Sequence, residues 1–158
     1  MTTITFLNKD DFSTLAPALF TILDENMSAY SSMSYGEWYA AVSDGLLAPG
    51  RQILLVHNNG HLAGFLQFYT NPKLLMLEEL QIAPQYQGKV NFLGRLYGFL
   101  LEHIPAELDY VEAYVHPENT RSLQLQRKLG LEVIDQERPW LHLRGEFRAF
   151  RQWYVSRR

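Results

Sequence analysis

Thr3 to Leu7 alternates polar and apolar side chains with the period of two expected of a half-buried strand. Asn8, Lys9, Asp10 and Asp11 end that run and offer N-caps to a helix carrying Leu15, Leu19, Ile22 and Leu23 at helical spacing. A polar, small-residue stretch from Met27 to Ser34 then precedes a second helix, Tyr35 to Ser43. Gln52 to His57 and Leu62 to Thr70 read as strands joined by Asn58, Asn59 and Gly60, residues that tolerate positive φ and so form a tight hairpin turn. After Asn71, Pro72 and Lys73, Leu74 to Ile82 is an apolar strand with Glu78 and Glu79 near its middle.

Beyond a loop from Ala83 to Val90, Phe92, Leu96, Phe99, Leu100 and His103 recur on one helical stripe until Pro105 stops the helix, which predicts a packed His103. Asp109 to Val115 reads as a strand. Pro117 and Asn119 open a helix through Leu125 and Leu129, and Gly130 closes it as a left-handed C-terminal residue. Leu131 to Gln136 and Phe147 to Val155 are predicted as two last strands, with Gly145 turning between them. Strand, two helices, three strands, helix, strand, helix and two strands argue an α/β chain whose mixed sheet has helices on both faces. No repeat, linker or low-complexity tract interrupts residues 1–158, so one continuous domain is expected.

Composition narrows the chemistry. Hydrophobic residues make up 47% of the chain and charged residues 20%, which excludes a disordered chain. The absence of Cys removes disulfides, thiolate nucleophiles and cysteine metal sites. His57, His61, His103, His116 and His142 lack a paired metal spacing, so no metal is expected, and no Gly-x-Ser-x-Gly elbow is present. No apolar run approaches the roughly 18 residues of a membrane span, and Met1 to Leu23 lacks signal-peptide order; a cytoplasmic protein without a membrane partner is the expectation. The net charge of −3 divides unevenly: residues 1–80 carry three cations against eight carboxylates, the remainder eleven against nine. A basic second half suits an anionic ligand and an acidic first half a cationic one. A pI of about 5.9 argues against a nucleic-acid partner.

The loop QYQGKV, Gln85 to Val90, lies between a strand and a helix start, where backbone N–H groups and a close-approaching Gly favour a phosphate. With the strand before it the segment is LEELQIAPQYQGKV, and farther on stands VHPENTRSLQLQRKLGLEVI, Val115 to Ile134. These two segments resemble the pyrophosphate loop and the later Asn-to-Lys-x-Gly helix of the GNAT superfamily of acyl-CoA-dependent N-acetyltransferases. The likeness covers roughly Ile53 to Val155. It implies a single-domain, mixed but mostly antiparallel sheet of about seven strands with helices on both faces. It also implies acetyl-CoA as co-substrate.

By that resemblance the amides of Gln87, Gly88, Lys89 and Val90 hold the CoA pyrophosphate, and Asn91, Gly94 and Gln126 are further cofactor-binding positions. The backbone of Leu80, Gln81 and Ile82 pairs with pantetheine like an added strand, and Asn119 reaches the pantetheine arm. Two positions depart from the family pattern. Val90 stands where a second Gly or Ala is usual, and Gln126 stands where many members carry the Tyr that protonates the leaving thiolate. Gln is no acid. A simple thiol has a pKa of about 8.5, so thiolate leaves tolerably near neutral pH without one, and Tyr114 and Tyr154 are other donors.

The attacking amine must be neutral, which calls for a base. Neighbours on a strand point to opposite faces, so at most one of Glu78 and Glu79 faces a given cleft. Glu78 matches the family's carboxylate-base position and is the first choice, with Glu79 second. The acceptor site is expected from Asp24 to Ser43, through Glu25, Tyr30, Tyr35 and Trp38, with Glu37 and Tyr39 alongside. Their acidic and aromatic side chains favour a cationic amine. Trp38 and Tyr39 equally fit an amphipathic helix packed on the sheet.

The function implied is transfer of an acetyl group from acetyl-CoA to a primary amine of a small molecule, peptide or protein. A non-catalytic acyl-CoA-binding or regulatory domain is the alternative that Val90 and Gln126 motivate. The aromatic, Arg-rich stretch of Phe147, Phe150, Trp153 and Tyr154 admits a third reading, an exposed edge strand pairing in a homodimer.

Overall fold

The computed structural model describes residues 1–88 and 92–156. They form β1 (Thr2–Phe6), α1 (Phe12–Met27), α2 (Tyr35–Gly45), β2 (Arg51–Asn58), β3 (His61–Thr70), β4 (Leu74–Ile82), α3 (Phe92–His103), β5 (Tyr110–Val115), α4 (Thr120–Lys128), β6 (Glu132–Glu137), β7 (Trp140–Glu146) and α5 (Phe147–Val155). The strands hydrogen-bond in the order β1-β2-β3-β4-β5-β7-β6. β4 and β5 run parallel, while β1 with β2, β5 with β7 and β6 with β7 run antiparallel. This is the mixed α/β architecture that the order of predicted elements called for. The chain gathers into two compact units, Met1–Phe68 with Glu79–Leu96, and Tyr69–Glu78 with the residues from Tyr97 onward.

In the first unit, Phe12, Ala16, Leu19 and Ile22 form the buried stripe of α1 and meet Trp38, Val42 and Leu46 together with Ile53, Leu55 and Phe65 of the strands. Trp38 is tilted against Phe12 and Phe20, with ring centroids 5.8 and 5.4 Å away. A capping box starts α2: the Ser34 hydroxyl accepts from Glu37 N while the Glu37 carboxylate accepts from Ser34 N. Hydrogen bonding of the Ser34 hydroxyl to the Glu37 carboxylate first, and the Ser34 backbone N–H second, hold that carboxyl below its ordinary range. The β2–β3 hairpin forms as its turn residues require, with Asn59 and Gly60 at φ 51° and 83°.

In the second unit Tyr97 of α3 stacks edge-on against Phe150 of α5 at 5.3 Å, and both are fully buried. A Cβ on Gly98 would fall on the Tyr154 hydroxyl, so glycine there leaves room for the Tyr154 side chain against α3. Asn119 caps α4, its Oδ1 accepting from Ser122 N at 3.2 Å, and Gly130 takes φ 92° after the helix.

Phe147 to Val155 is a helix and not a strand. A period of two would put Phe147, Ala149, Arg151, Trp153 and Val155 on one face, whereas helical spacing gathers Phe147, Phe150 and the half-buried Tyr154, and full burial of the two Phe rings decides the outcome. The last strand is instead Trp140–Glu146, and Gly145 lies inside it. A Cβ there would sit 2.7 Å from the Gly130 carbonyl oxygen, so the glycine serves close packing rather than a turn. The exposed edge strand expected around Phe147 and Phe150 for homodimer pairing therefore does not exist. His103, expected on the buried stripe, is exposed, stacked on Phe99 at 4.1 Å.

Candidate functional site

Glu79, Leu80, Gln81, Ile82, Gln87 and Gly88 belong to the first unit. Gln81 is buried, donates to Glu79 and accepts from Asn26 Nδ2 at 2.9 Å. The same Asn26 amide donates to the Ile82 carbonyl at 2.8 Å, and Gln87 Nε2 donates both to Asn26 Oδ1 and to the Ile82 carbonyl, at 3.1 and 2.9 Å. Asn26, in the last turn of α1, thus ties that helix to the end of β4 and to the loop beyond. Nothing in the sequence singles it out, because its partners lie 55 to 61 positions away.

The Gln81 carbonyl faces β3, where a Cβ on Gly64 would come within 2.6 Å of it. Backbone groups alternate along a strand, so those of Leu80 and Ile82 point away from β3. The Ile82 carbonyl already holds two donors. Leu80, half-buried, therefore carries the carbonyl most available to a ligand running along this edge. Gly88 is exposed at φ 73°, and a Cβ there would meet nothing within 4 Å. Lys89, Val90 and Asn91 lie outside the described residues. Gly94 is half-buried in α3.

Of the expected acceptor residues, Glu25 and Tyr35 are exposed and Tyr30 is half-buried. Trp38 is only 5% exposed and belongs to the hydrophobic core. Tyr35 stacks near both Phe20 and Tyr39, at 5.3 and 5.9 Å.

Glu78, Asn119 and Gln126 belong to the second unit. Pairing of β4 with β5 ends at Leu77↔Ala113, while β4 continues as a strand. Leu74 and Met76 lie opposite Tyr110 and Glu112, and strand alternation puts Glu78 on the side of β4 that carries Met76. Glu112 of β5 is 3% exposed and bonds His142 and Arg144 of β7. Neither Glu112 nor His142 was marked by any motif; cross-strand register alone brings them together. Tyr114 stacks on His142 with centroids 4.4 Å apart, and Arg144 lies 4.4 Å from the centre of the Tyr110 ring. Burial first, then the charges of Glu137 and Glu112, raises the Tyr114 hydroxyl above its ordinary value, so it remains a proton-bearing donor at neutral pH. Gln126 is 6% exposed, and its Oε1 has no partner among the described residues. An orphaned buried acceptor usually marks a place where a donor from water or ligand arrives. Among the described residues no group of three His, Asp or Glu side chains is placed to hold a metal, and no helix is long and apolar enough to cross a membrane.

No family model and no curated protein matches the chain. Solved structures do match it. The PaiA N-acetyltransferase of Thermoplasma acidophilum, in complex with coenzyme A, superimposes with a TM-score of 0.69 at 16% identity, over 93% of this chain and 99% of that one. An acetyltransferase of Thermus thermophilus gives 0.71 at 13% identity, over 93% and 97%. A GNAT-family acetyltransferase of Streptococcus pneumoniae gives 0.64 at 14% identity, over 93% and 100%. At such identities the likeness establishes the fold, which is that of the GNAT acetyltransferases.

Proposed function

We propose that this chain transfers an acetyl group from acetyl-CoA to a primary amine by direct attack. The observation that carries the reading is the edge of β4: its pairing with β5 stops at Leu77 and its Leu80 backbone groups point away from β3, next to a loop bearing the open, left-handed Gly88. Pantetheine offers amides at strand-like spacing, and an exposed strand edge takes such a group as it would another strand. Resemblance assigns the pyrophosphate to the amides around Gly88 and the pantetheine arm to Asn119. The cap bond uses Asn119 Oδ1 and leaves its amide NH₂ as the donor for that contact. The orphaned Gln126 Oε1 adds a buried acceptor that a ligand N–H satisfies. The fold-level support comes from the Thermoplasma protein crystallised with coenzyme A and the Campylobacter jejuni PseH N-acetyltransferase crystallised with acetyl-CoA, the latter superimposing at a TM-score of 0.63.

Acetyl-CoA, when bound, supplies an acetyl carbon already activated as a thioester. The chain's own residues must then orient the amine and remove its proton. Glu78 is the base in this reading, a half-buried carboxylate that strand alternation puts on the same side of β4 as Met76, the cross-strand partner of Glu112. Glu25 and Tyr35 remain on the acceptor side as exposed groups suited to a cation, while Trp38 contributes through packing. Any soluble compartment that holds acetyl-CoA, the cytoplasm above all, supports this activity.

The test is a calorimetric titration of acetyl-CoA followed by turnover on a panel of primary amines. Saturable one-to-one binding is expected, and Glu78→Gln should lower turnover at least tenfold while leaving acetyl-CoA affinity unchanged; base removal typically costs about 10² to 10⁴ in rate. Wild-type turnover in Glu78→Gln removes that residue from the mechanism. Binding without turnover on any amine favours a non-catalytic acyl-CoA-binding domain.

A further inference from the structure

An ammonium carries three protons and the amide made from it carries one. Two must leave the nitrogen, and a single carboxylate such as Glu78 accepts one at a time. The face that carries Glu78 holds a second proton-transfer group that no motif announced. His142 of β7 lies directly across from Tyr114 in the antiparallel register, and Glu112 lies directly across from Arg144. The diagonal contact joins His142 Nε2 to Glu112 Oε1, while Arg144 Nε and Nη2 both donate to Glu112 Oε2, at 3.0 and 2.8 Å.

Glu112 is only 3% exposed, and burying a carboxylate that deeply costs desolvation that charged donors beside it must offset. Arg144 occupies one oxygen of Glu112, and the other is left to orient the imidazole. With Nε2–H pointing at Glu112, the lone pair of the neutral ring lies on Nδ1. Nothing among the described residues bonds to Nδ1. Stacking on Tyr114 holds the ring plane, and the side chain keeps 15% of its surface open to solvent. A carboxylate fixing one imidazole nitrogen so that the other handles protons is the arrangement of the Ser-His-Asp triad.

We infer that His142, oriented by Glu112, accepts the second proton of the amine as the amide forms. The inference rests on the acetyltransferase reading. As the C–N bond forms and the C–S bond breaks, the C–S electron pair stays on sulfur. The electron pair of the second N–H bond stays on nitrogen, and the proton passes to Nδ1. His142 then releases it to water, from which the thiolate is protonated, so the exchange is balanced without an acid at Gln126. Glu112 and Arg144 are positioning residues. The other titratable groups around His142 are Tyr114, which stacks on it, Asp135, its cross-strand partner on β6, and Glu137 of β6 and Tyr69 of β3, which act electrostatically on Tyr114; alternation brings Glu78 of β4 to the same side of the sheet as Met76.

Three measurements on the full chain test this. Long-range ¹⁵N–¹H correlation spectra, which need no substrate, should show the neutral His142 ring as the Nε2–H tautomer; an Nδ1–H tautomer overturns the inference. With acetyl-CoA and butylamine, tyramine, spermidine and a lysine peptide as probe acceptors, His142→Gln should lower kcat at least tenfold at pH 7. That deficit should narrow as pH rises, because hydroxide substitutes for the missing base, and acetyl-CoA affinity should not change. Added imidazole should restore part of the rate in His142→Ala. A deficit that stays constant with pH and ignores imidazole is a packing defect and overturns the assignment. Wild-type rates in His142→Gln beside a slow Glu78→Gln overturn it while leaving the acetyltransferase reading intact. Failure of every amine despite acetyl-CoA binding overturns both.

Discussion

Gly88→Glu should weaken acetyl-CoA binding by at least a hundredfold in calorimetric titration. Gly88 stands at φ 73°, a conformation that costs an L-residue roughly 1–2 kcal/mol. Once a side chain lets the free loop relax from that conformation, restoring it on binding costs up to about tenfold, at about 1.4 kcal/mol per decade of affinity. The remainder comes from placing a carboxylate where resemblance puts a pyrophosphate, in a loop whose amides would otherwise attract anions. Gly88→Ala separates the two contributions. A Cβ at this position meets nothing within 4 Å of the protein, so alanine adds backbone strain without bulk or charge and should lose no more than about tenfold. Equal losses in the two variants would mean that strain alone matters. Unaltered affinity in Gly88→Glu would move the pyrophosphate to another part of the chain.

Phe150→Ala should destabilise the protein by about 3–5 kcal/mol, the usual cost of emptying a phenylalanine site in a close-packed core. Phe150 is 0% exposed, edge-on to Tyr97 and 6.2 Å from the Phe147 ring. Truncating the ring leaves a cavity lined by aromatic groups of α3 and α5, which cannot collapse onto one another without moving both helices. Urea denaturation of wild type and variant at several protein concentrations measures the effect. A loss below about 1 kcal/mol, or a wild-type midpoint that rises with protein concentration, would return Phe150 to an exposed surface used for self-association.

The same segment shows where reading along the chain stops working. Apolar and polar residues from Phe147 to Val155 satisfy either period in so short a window, and the choice between them belongs to the surface on which the segment lands. β7 was hidden for a related reason. Trp140, Leu141, His142, Leu143 and Arg144 mix aromatic, apolar and charged residues because the strand's polar side chains are satisfied by Glu112, which lies thirty or more positions earlier. Local pattern has no access to partners at that distance.

The elements written in local chemistry were legible from residues alone. The Asn59–Gly60 hairpin, the helix beginning at Tyr35 and the Asn119-to-Gly130 helix each depend on contacts within a few positions. The loop around Gly88 and the paired Glu78 and Glu79 were legible as candidate chemistry for the same reason. Tertiary structure alone decided the rest: the Asn26 amide bridging Gln81, Ile82 and Gln87, the burial of Trp38, and the Glu112–His142–Arg144 cluster. Hydrogen bonds and ion pairs between distant strands depend on register, and register is set by burial of whole faces rather than by any single stretch of sequence.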